Sequence, residues 1–339
     1  MNIDTILKIQ EHEKDDIELI NRWLPSRLFD AHLHCWSDNH RMPIVNDRAL
    51  IPGETFNNFP WHLHRKMLMA ILPKIEYSVA VFGLPFKTVT TANDYVHKLS
   101  IAYKGLIPIM QLASILDINA IRHGLSVKFF GTKPYPTRDQ KRCKTTKIID
   151  MLPDNILRII NAFSSATILH LPKNILENLD ELLHLASKYP DVKFVVAHMG
   201  NNYRHNKDIK YAFREASRKS NIAFDTSMIT DSAVIIDALT ILRKHQIIFG
   251  SDAPFSYMRG QYITGDNAKV ELQCQAHFNW IDNNEYEKYK AGAKNFKLIY
   301  INIVLAIMEA LKFLGLDKDD TIKNNIFYHN GKNIFTRRK

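Results

Sequence analysis

Eight short runs rich in β-branched and aromatic residues recur along the chain, and stretches of helical character separate most of them. They fall at residues 28–35, 76–84, 105–112, 124–130, 166–171, 192–198, 222–227 and 246–252. Strand–helix alternation predicts a parallel sheet. Eight such units predict a (β/α)8 TIM barrel, which takes about 250 residues. The chain has 339. The surplus is assigned to an N-terminal helix (1–27), an insertion after the first strand (about 36–73), a loop after the fourth, and extra C-terminal helices (256–339), with the barrel strands inside 28–255. A doubly wound open sheet has the same element order, but no GxGxxG or P-loop follows any strand, so its usual nucleotide site is missing. No internal repeat or low-complexity linker interrupts the chain, which predicts a single domain over 1–339.

Composition narrows the class further. At 46% hydrophobic and 24% charged, the chain can bury a sizeable core, and disorder is not expected. Cys35, Cys143 and Cys274 are odd in number and lack CxxC spacing, which excludes a Cys-rich zinc site and fits a reducing, cytoplasmic compartment. The acidic, polar N-terminus lacks the apolar core of a signal peptide. The most apolar stretch, 298–316, is broken by Asn302, Glu309 and Lys312. A spanning helix needs about 20 mostly apolar residues, so a buried helix or a homo-oligomer contact is expected there and no membrane partner. A net charge of +10 permits an anionic partner without requiring one. The expected partner is a small-molecule substrate, not nucleic acid.

The chemistry gathers at strand ends. With 15 His in the chain, about one HxH pair is expected by chance. Two occur, and context separates them. His32 and His34 end the first strand, where residues two apart share a face. His62 and His64 lie in WHLHRKMLMAIL, which reads as a helix, where residues two apart diverge; they are assigned to packing. His170 ends the fifth strand, His198 the sixth and Asp252 the eighth. A barrel carries its active site at the C-terminal ends of its strands. Imidazoles and a carboxylate converging there suit one divalent metal ion, zinc first, with manganese or iron as alternatives.

The segments FDAHLH, ILHLPK, VVAHMG and IIFGSDAPF resemble the metal-site strands of the amidohydrolase superfamily. AFDTS and HNGKNIF are similar to its amidohydrolase-related branch, which includes aminocarboxymuconate-semialdehyde decarboxylase and dicarboxylate lactone hydrolases. The resemblance runs in order over roughly 28–335 and implies a (β/α)8 barrel. By position it implies His32, His34, His170 and Asp252 as metal ligands, Asp252 also as proton shuttle, and His198 as a contact to the reacting oxygen. It implies a metal-dependent hydrolase cutting a C–O or C–N bond of a small, anionic substrate. A non-oxidative decarboxylase of an unsaturated or aromatic acid is the runner-up. A metal-independent lactonase and a non-catalytic binding barrel complete the alternatives. Lys128, placed at the end of the fourth strand in LSVKFFGT, is expected to meet a substrate acid group; a carboxylated bridging lysine and a structural ion pair are its other readings. Asp225 either orients a neighbouring His or makes a plain structural bond. The basic loop 131–147 reads as a solvated loop or an electrostatic lip, and Arg65, Arg204 and Arg259 as candidate carboxylate grips.

Overall fold

The computed structural model describes residues 7–37, 58–84, 89–112, 117–135, 147–264, 270–275 and 283–336. Eight strands form the expected barrel: β1 (Arg27–His34), β2 (Glu76–Phe82), β3 (Leu106–Pro108, resuming as Met110–Leu112), β4 (Gly131–Pro134), β5 (Ala166–Leu169), β6 (Lys193–Val196), β7 (Ile222–Asp225) and β8 (Ile247–Ile248). Each pairs in parallel with the next in chain order. The barrel closes where the segment running out of β8 returns to β1: Ala31 N donates to Phe249 O at 2.9 Å, His34 N to Ala253 O at 2.8 Å, and Asp252 N to His32 O at 2.8 Å.

Helix α1 (Lys14–Trp23) precedes β1. A helix then follows every strand: α2 (Trp61–Ile71), α3 (Val89–Ala102), α4 (Ile118–Val127), α5 (Asp154–Ala162), α6 (Ile175–Lys188), α7 (Ile209–Ser217), α8 (Ser232–Ile241) and α9 (Ile299–Phe313). Several begin on polar caps. Asp117, Asn174 and Asp231 accept from the first-turn amides of Asn119, Glu177 and Ala233, which satisfies donors the helix itself leaves open. The apolar run at 298–316 becomes α9, buried along most of its length, and no described helix is long and apolar enough to cross a membrane.

Strand alternation divides two cores. Phe29, Ala31, Ala80, Phe82, Ile109, Ala166, Ile168, Val195, Ala197 and Ile248 fill the barrel. Their neighbours Leu28, Val79, Val81, Met110, Leu112, Phe194, Val196 and Phe224 pack outward with the helices. Phe335 enters the inner core from the C-terminal segment and stacks on Phe29, with ring centroids 5.9 Å apart.

Two expectations fail. Residues 124–130 are not a strand. Gly124–Val127 end α4, Lys128 is its C-cap, and the fourth strand starts at Gly131. The apolar alternation of Leu125, Val127 and Phe129 mimics a strand, but Ile121, Gly124 and Leu125 are buried at helical spacing, and Val127 is exposed. The 256–339 region is not only helices. It opens with an antiparallel hairpin, β9 (Gly260–Thr264) and β10 (Val270–Cys274). Of the basic loop, residues 131–134 are β4; Arg138, Lys141, Arg142 and Lys144, with Cys143, lie outside the described residues.

Candidate metal centre

The histidine pair reaches the barrel interior through an irregularity in β1. Asp30 pairs with Val79 and Leu33 with Val81, so one extra residue of β1 sits between them. Such a bulge resets the alternation. Phe29 and Ala31 point inward before it; His32 and His34 point inward after it, while Leu33 and Cys35 join the outer core. Buried Asp30 holds the region, accepting from His32 N at 3.0 Å, Ser251 N at 2.9 Å and Tyr77 Oη at 2.6 Å. Burial raises its carboxyl to about 6 despite these bonds.

Three imidazoles have their Nδ1 atoms already engaged. His32 Nδ1 donates to Asp225 Oδ2 at 2.9 Å, His34 Nδ1 to Gly83 O at 3.0 Å, and His198 Nδ1 to Ser227 O at 3.1 Å. Their Nε2 atoms face Asp252: His32 at 3.3 Å and His34 at 3.2 Å from Oδ1, His198 at 4.0 Å from Oδ2. One ligand atom each from His32, His198 and Asp252 lies within 4.8 Å of the other two. An outer hydrogen bond that fixes the ring and leaves Nε2 free is how metal-ligating histidines are oriented, so this donor set fits a divalent ion. Burial, with Lys133 adding to it, lowers His32 to about 4, which keeps it neutral and able to ligate. Burial alone would raise the Asp252 and Asp225 carboxyls, but the surrounding histidines hold both below the usual carboxylate range. Asp252 and His198 adopt left-handed backbone, with φ of 61° and 54°. For residues with a Cβ this costs energy and persists where the surroundings over-determine it.

His170 stands one residue beyond β5, its ring set edge-on to His198 with centroids 5.2 Å apart. It is outside the three-atom cluster. Asp225 takes the orienting role. Besides His32 it accepts from the backbone N of His198 at 2.9 Å and of Ser227 at 3.1 Å.

Lys128 does not reach the site, because it caps α4. Among the described residues, the lysine buried inside the barrel is Lys133 of β4, 1% exposed, with Nζ 3.5 Å from His32 Nε2 and above the Phe82 and Tyr135 rings. Burial lowers it to about 8, against the pull of Asp225 and Asp252. Lys133 falls in the expected loop because the expected fourth strand, 124–130, ends before the observed one, Gly131–Pro134, begins. The usable signal was Gly131-Thr-Lys-Pro134, a short run closed by a proline. Aromatic residues also went unnoticed. Tyr203 lies 5.6 Å from His198 and stacks on Tyr262 of β9 at 4.7 Å; Phe255 lies 5.5 Å from His34.

Of the other candidates, Arg259 is buried against Glu13 at 2.6 Å and is withdrawn from substrate. Arg204 pairs with Asp231 at 3.4 Å, and Arg65 lies over Tyr103. His62 and His64 are on α2 as expected; His64 is fully buried against the Tyr257 hydroxyl.

Residues 163–290 match the model of a protein family described as Amidohydrolase. No curated protein matches the chain by sequence. Among solved structures, an amidohydrolase 2 from Bifidobacterium longum subsp. infantis is 11% identical, with 93% of this chain and 100% of that one covered and a TM-score of 0.56. A probable 2-pyrone-4,6-dicarboxylic acid hydrolase from Acinetobacter baumannii, with citric acid bound, is 13% identical, with 91% and 98% covered and a TM-score of 0.56. The 5-carboxyvanillate decarboxylase of Sphingomonas paucimobilis is 13% identical, with 93% and 100% covered and a TM-score of 0.59. The expected resemblance to amidohydrolases is therefore borne out: residues 163–290 match that family's model, and the chain shares its fold with solved structures that include an amidohydrolase 2.

Proposed function

We propose that this chain is a cytoplasmic, metal-dependent hydrolase that cleaves a C–O or C–N bond of a small anionic molecule. The observation that carries it is the set of three imidazoles, each held through Nδ1, with Nε2 turned to one partly buried carboxylate, Asp252. His32, His34, His170 and Asp252 are the proposed ligands, and zinc the proposed ion. Held there, a divalent ion would supply Lewis acidity, which can bring the pKa of water from 15.7 to about 7 and so provide a nucleophile at neutral pH. Asp252, held ionised, would take the proton of an attacking water and return it to the leaving group. His198, with Nδ1–H on Ser227 O, would donate from Nε2 to the oxygen that gains charge in its doubly protonated form. Lys133, not Lys128, offers the cation for a substrate acid group. Cys35 and Cys274, buried and free, are consistent with a reducing compartment.

A second arrangement has its own support, since His198 rather than His170 shares the compact cluster with His32 and Asp252. Elemental analysis separates the two. Wild type is expected to hold about one equivalent of divalent metal, and His32→Ala with His34→Ala to hold none. His170→Asn is expected to lose the metal, while His198→Asn keeps it and loses about 10²–10³ in turnover. The reverse pattern assigns the ligand role to His198. Full metal in the double variant overturns this ligand assignment. Assayed on carboxylate-bearing lactones, esters and amides, product analysis should show a ring-opened or cleaved acid; carbon dioxide instead would identify a decarboxylase.

A further inference from the structure

Gln111 occupies the β3 position that pairs in register with Lys133 on β4. Its strand neighbours Met110 and Leu112 pack outward with the helices, and Ile109 packs inside the barrel, so Gln111 faces inward beside Lys133. Strands in register lie about 4.8 Å apart, which puts the two side chains in adjoining positions. Gln111 is 1% exposed, and its Oε1 is buried with no hydrogen-bond partner. Leaving a buried polar atom unpaired is costly, because it gives up its water without gaining a partner.

The surroundings hold the residue in place. Asn93 of α3 clamps its backbone on both sides: Gln111 N donates to Asn93 Oδ1 at 2.9 Å, and Asn93 Nδ2 donates to Gln111 O at 3.0 Å. Gly83 leaves room for the carboxamide. A Cβ added at Gly83 would stand 3.0 Å from Gln111 Oε1 and 2.8 Å from Ala92 Cβ. The carbonyl of that glycine fixes His34. The carboxamide therefore lies against the glycine that anchors His34, with its Oε1 unpaired.

We infer that Gln111 is a specificity-determining residue which, with Lys133, binds the carboxylate of the substrate, and that its missing partner is an oxygen of that group. A carboxamide turned by 180° exchanges donor for acceptor at almost constant shape, so Nε2 can donate to one carboxylate oxygen while Lys133 pairs with the other. The inference rests on the hydrolase reading of the same cavity and names the acid group its substrate carries.

The test uses the protein as purified, with acetate, succinate and benzoate as probes, titrated by calorimetry and by thermal melting. Wild type is expected to bind at least one of them. Gln111→Leu should bind it about tenfold more weakly. The same variant should melt about 2 °C or more above wild type without ligand, because an unpaired buried polar group has been replaced by an apolar one of similar size. Gln111→Glu should lose the probe by charge repulsion. Three results each overturn the inference: no probe binds wild type, Gln111→Leu binds as tightly as wild type, or Gln111→Leu melts below wild type, which marks a structural role. Metal content measured on the same samples keeps the readings apart. Metal-free protein with the expected binding pattern would remove the hydrolase reading and leave Gln111 in place.

Discussion

Asp225 touches no substrate in the proposed mechanism, yet the metal centre closes on it. One oxygen takes the His32 ring; the other takes the backbone of His198 and of Ser227. A single carboxylate thus sets a ring orientation and the left-handed turn that carries His198. Asp225→Asn keeps the volume and one acceptor but removes the charge that favours His32 Nδ1–H. The expected outcome is a metal affinity lower by about 10–100-fold, the usual cost of losing such an outer partner, with the melting temperature of metal-free protein little changed. Competition with a chromophoric chelator measures it, and wild-type affinity would reduce Asp225 to a plain structural bond. His32, His34, His170, His198 and Asp252 could be read from sequence because each follows a recognisable β-rich run. Lys133 and Gln111 could not. Lys133 fell in the expected loop because the fourth strand was expected at 124–130, and for Gln111 nothing in its run says which face of a three-residue strand is inward.

At the scale of elements, the legible part was the order of strands and helices, and the illegible part was what ties distant elements together. Glu13, at the start of α1, and Arg259, just before β9, form a buried ion pair at 2.6 Å. Glu13 also accepts from Leu298 N at 2.9 Å, and Arg259 donates to Lys8 O at 2.8 Å. One pair thus joins the N-terminal segment, the hairpin and the entry to α9. No local pattern announces a contact across nearly the whole chain, and the arginine looked equally suited to gripping a substrate. Arg259→Met leaves the Glu13 carboxylate buried without its cation, which typically costs about 3–5 kcal/mol. Urea unfolding should show that loss, and adding Glu13→Gln should recover part of it. Unchanged stability in the single variant, with weaker carboxylate binding, would return Arg259 to the substrate site. The bulge in β1 teaches the same lesson locally. HxH on a strand was legible, but the extra residue that turns both rings inward lies in strand pairing and has no signature in FDAHLH itself.

Across the whole molecule, the barrel is closed at one end by chemistry and at the other by packing. The strands' C-terminal ends present His34, Lys133, His198 and Asp252. The opposite end is filled by Phe335, 1% exposed, which reaches in from the C-terminal segment to stack on Phe29. Gly131 and Ala166, the first residues of β4 and β5, leave it room; a Cβ on Gly131 would stand 3.4 Å from the Phe335 ring and 3.1 Å from Ala166 O. Many inward positions are Ala or Gly, so one aromatic from the chain's end completes a core the strands alone leave unfilled. Phe335→Ala should therefore cost about 3–5 kcal/mol, the range for emptying a buried aromatic site. Because the cavity opens at the far end of the strands from the histidines, metal content at temperatures well below unfolding should stay at the wild-type level. Thermal melting beside elemental analysis distinguishes the outcomes. A large fall in melting temperature with metal retained is expected. Metal loss without a change in melting temperature would mean that the two ends of the barrel are coupled, and that Phe335 acts on the site and not merely on the core.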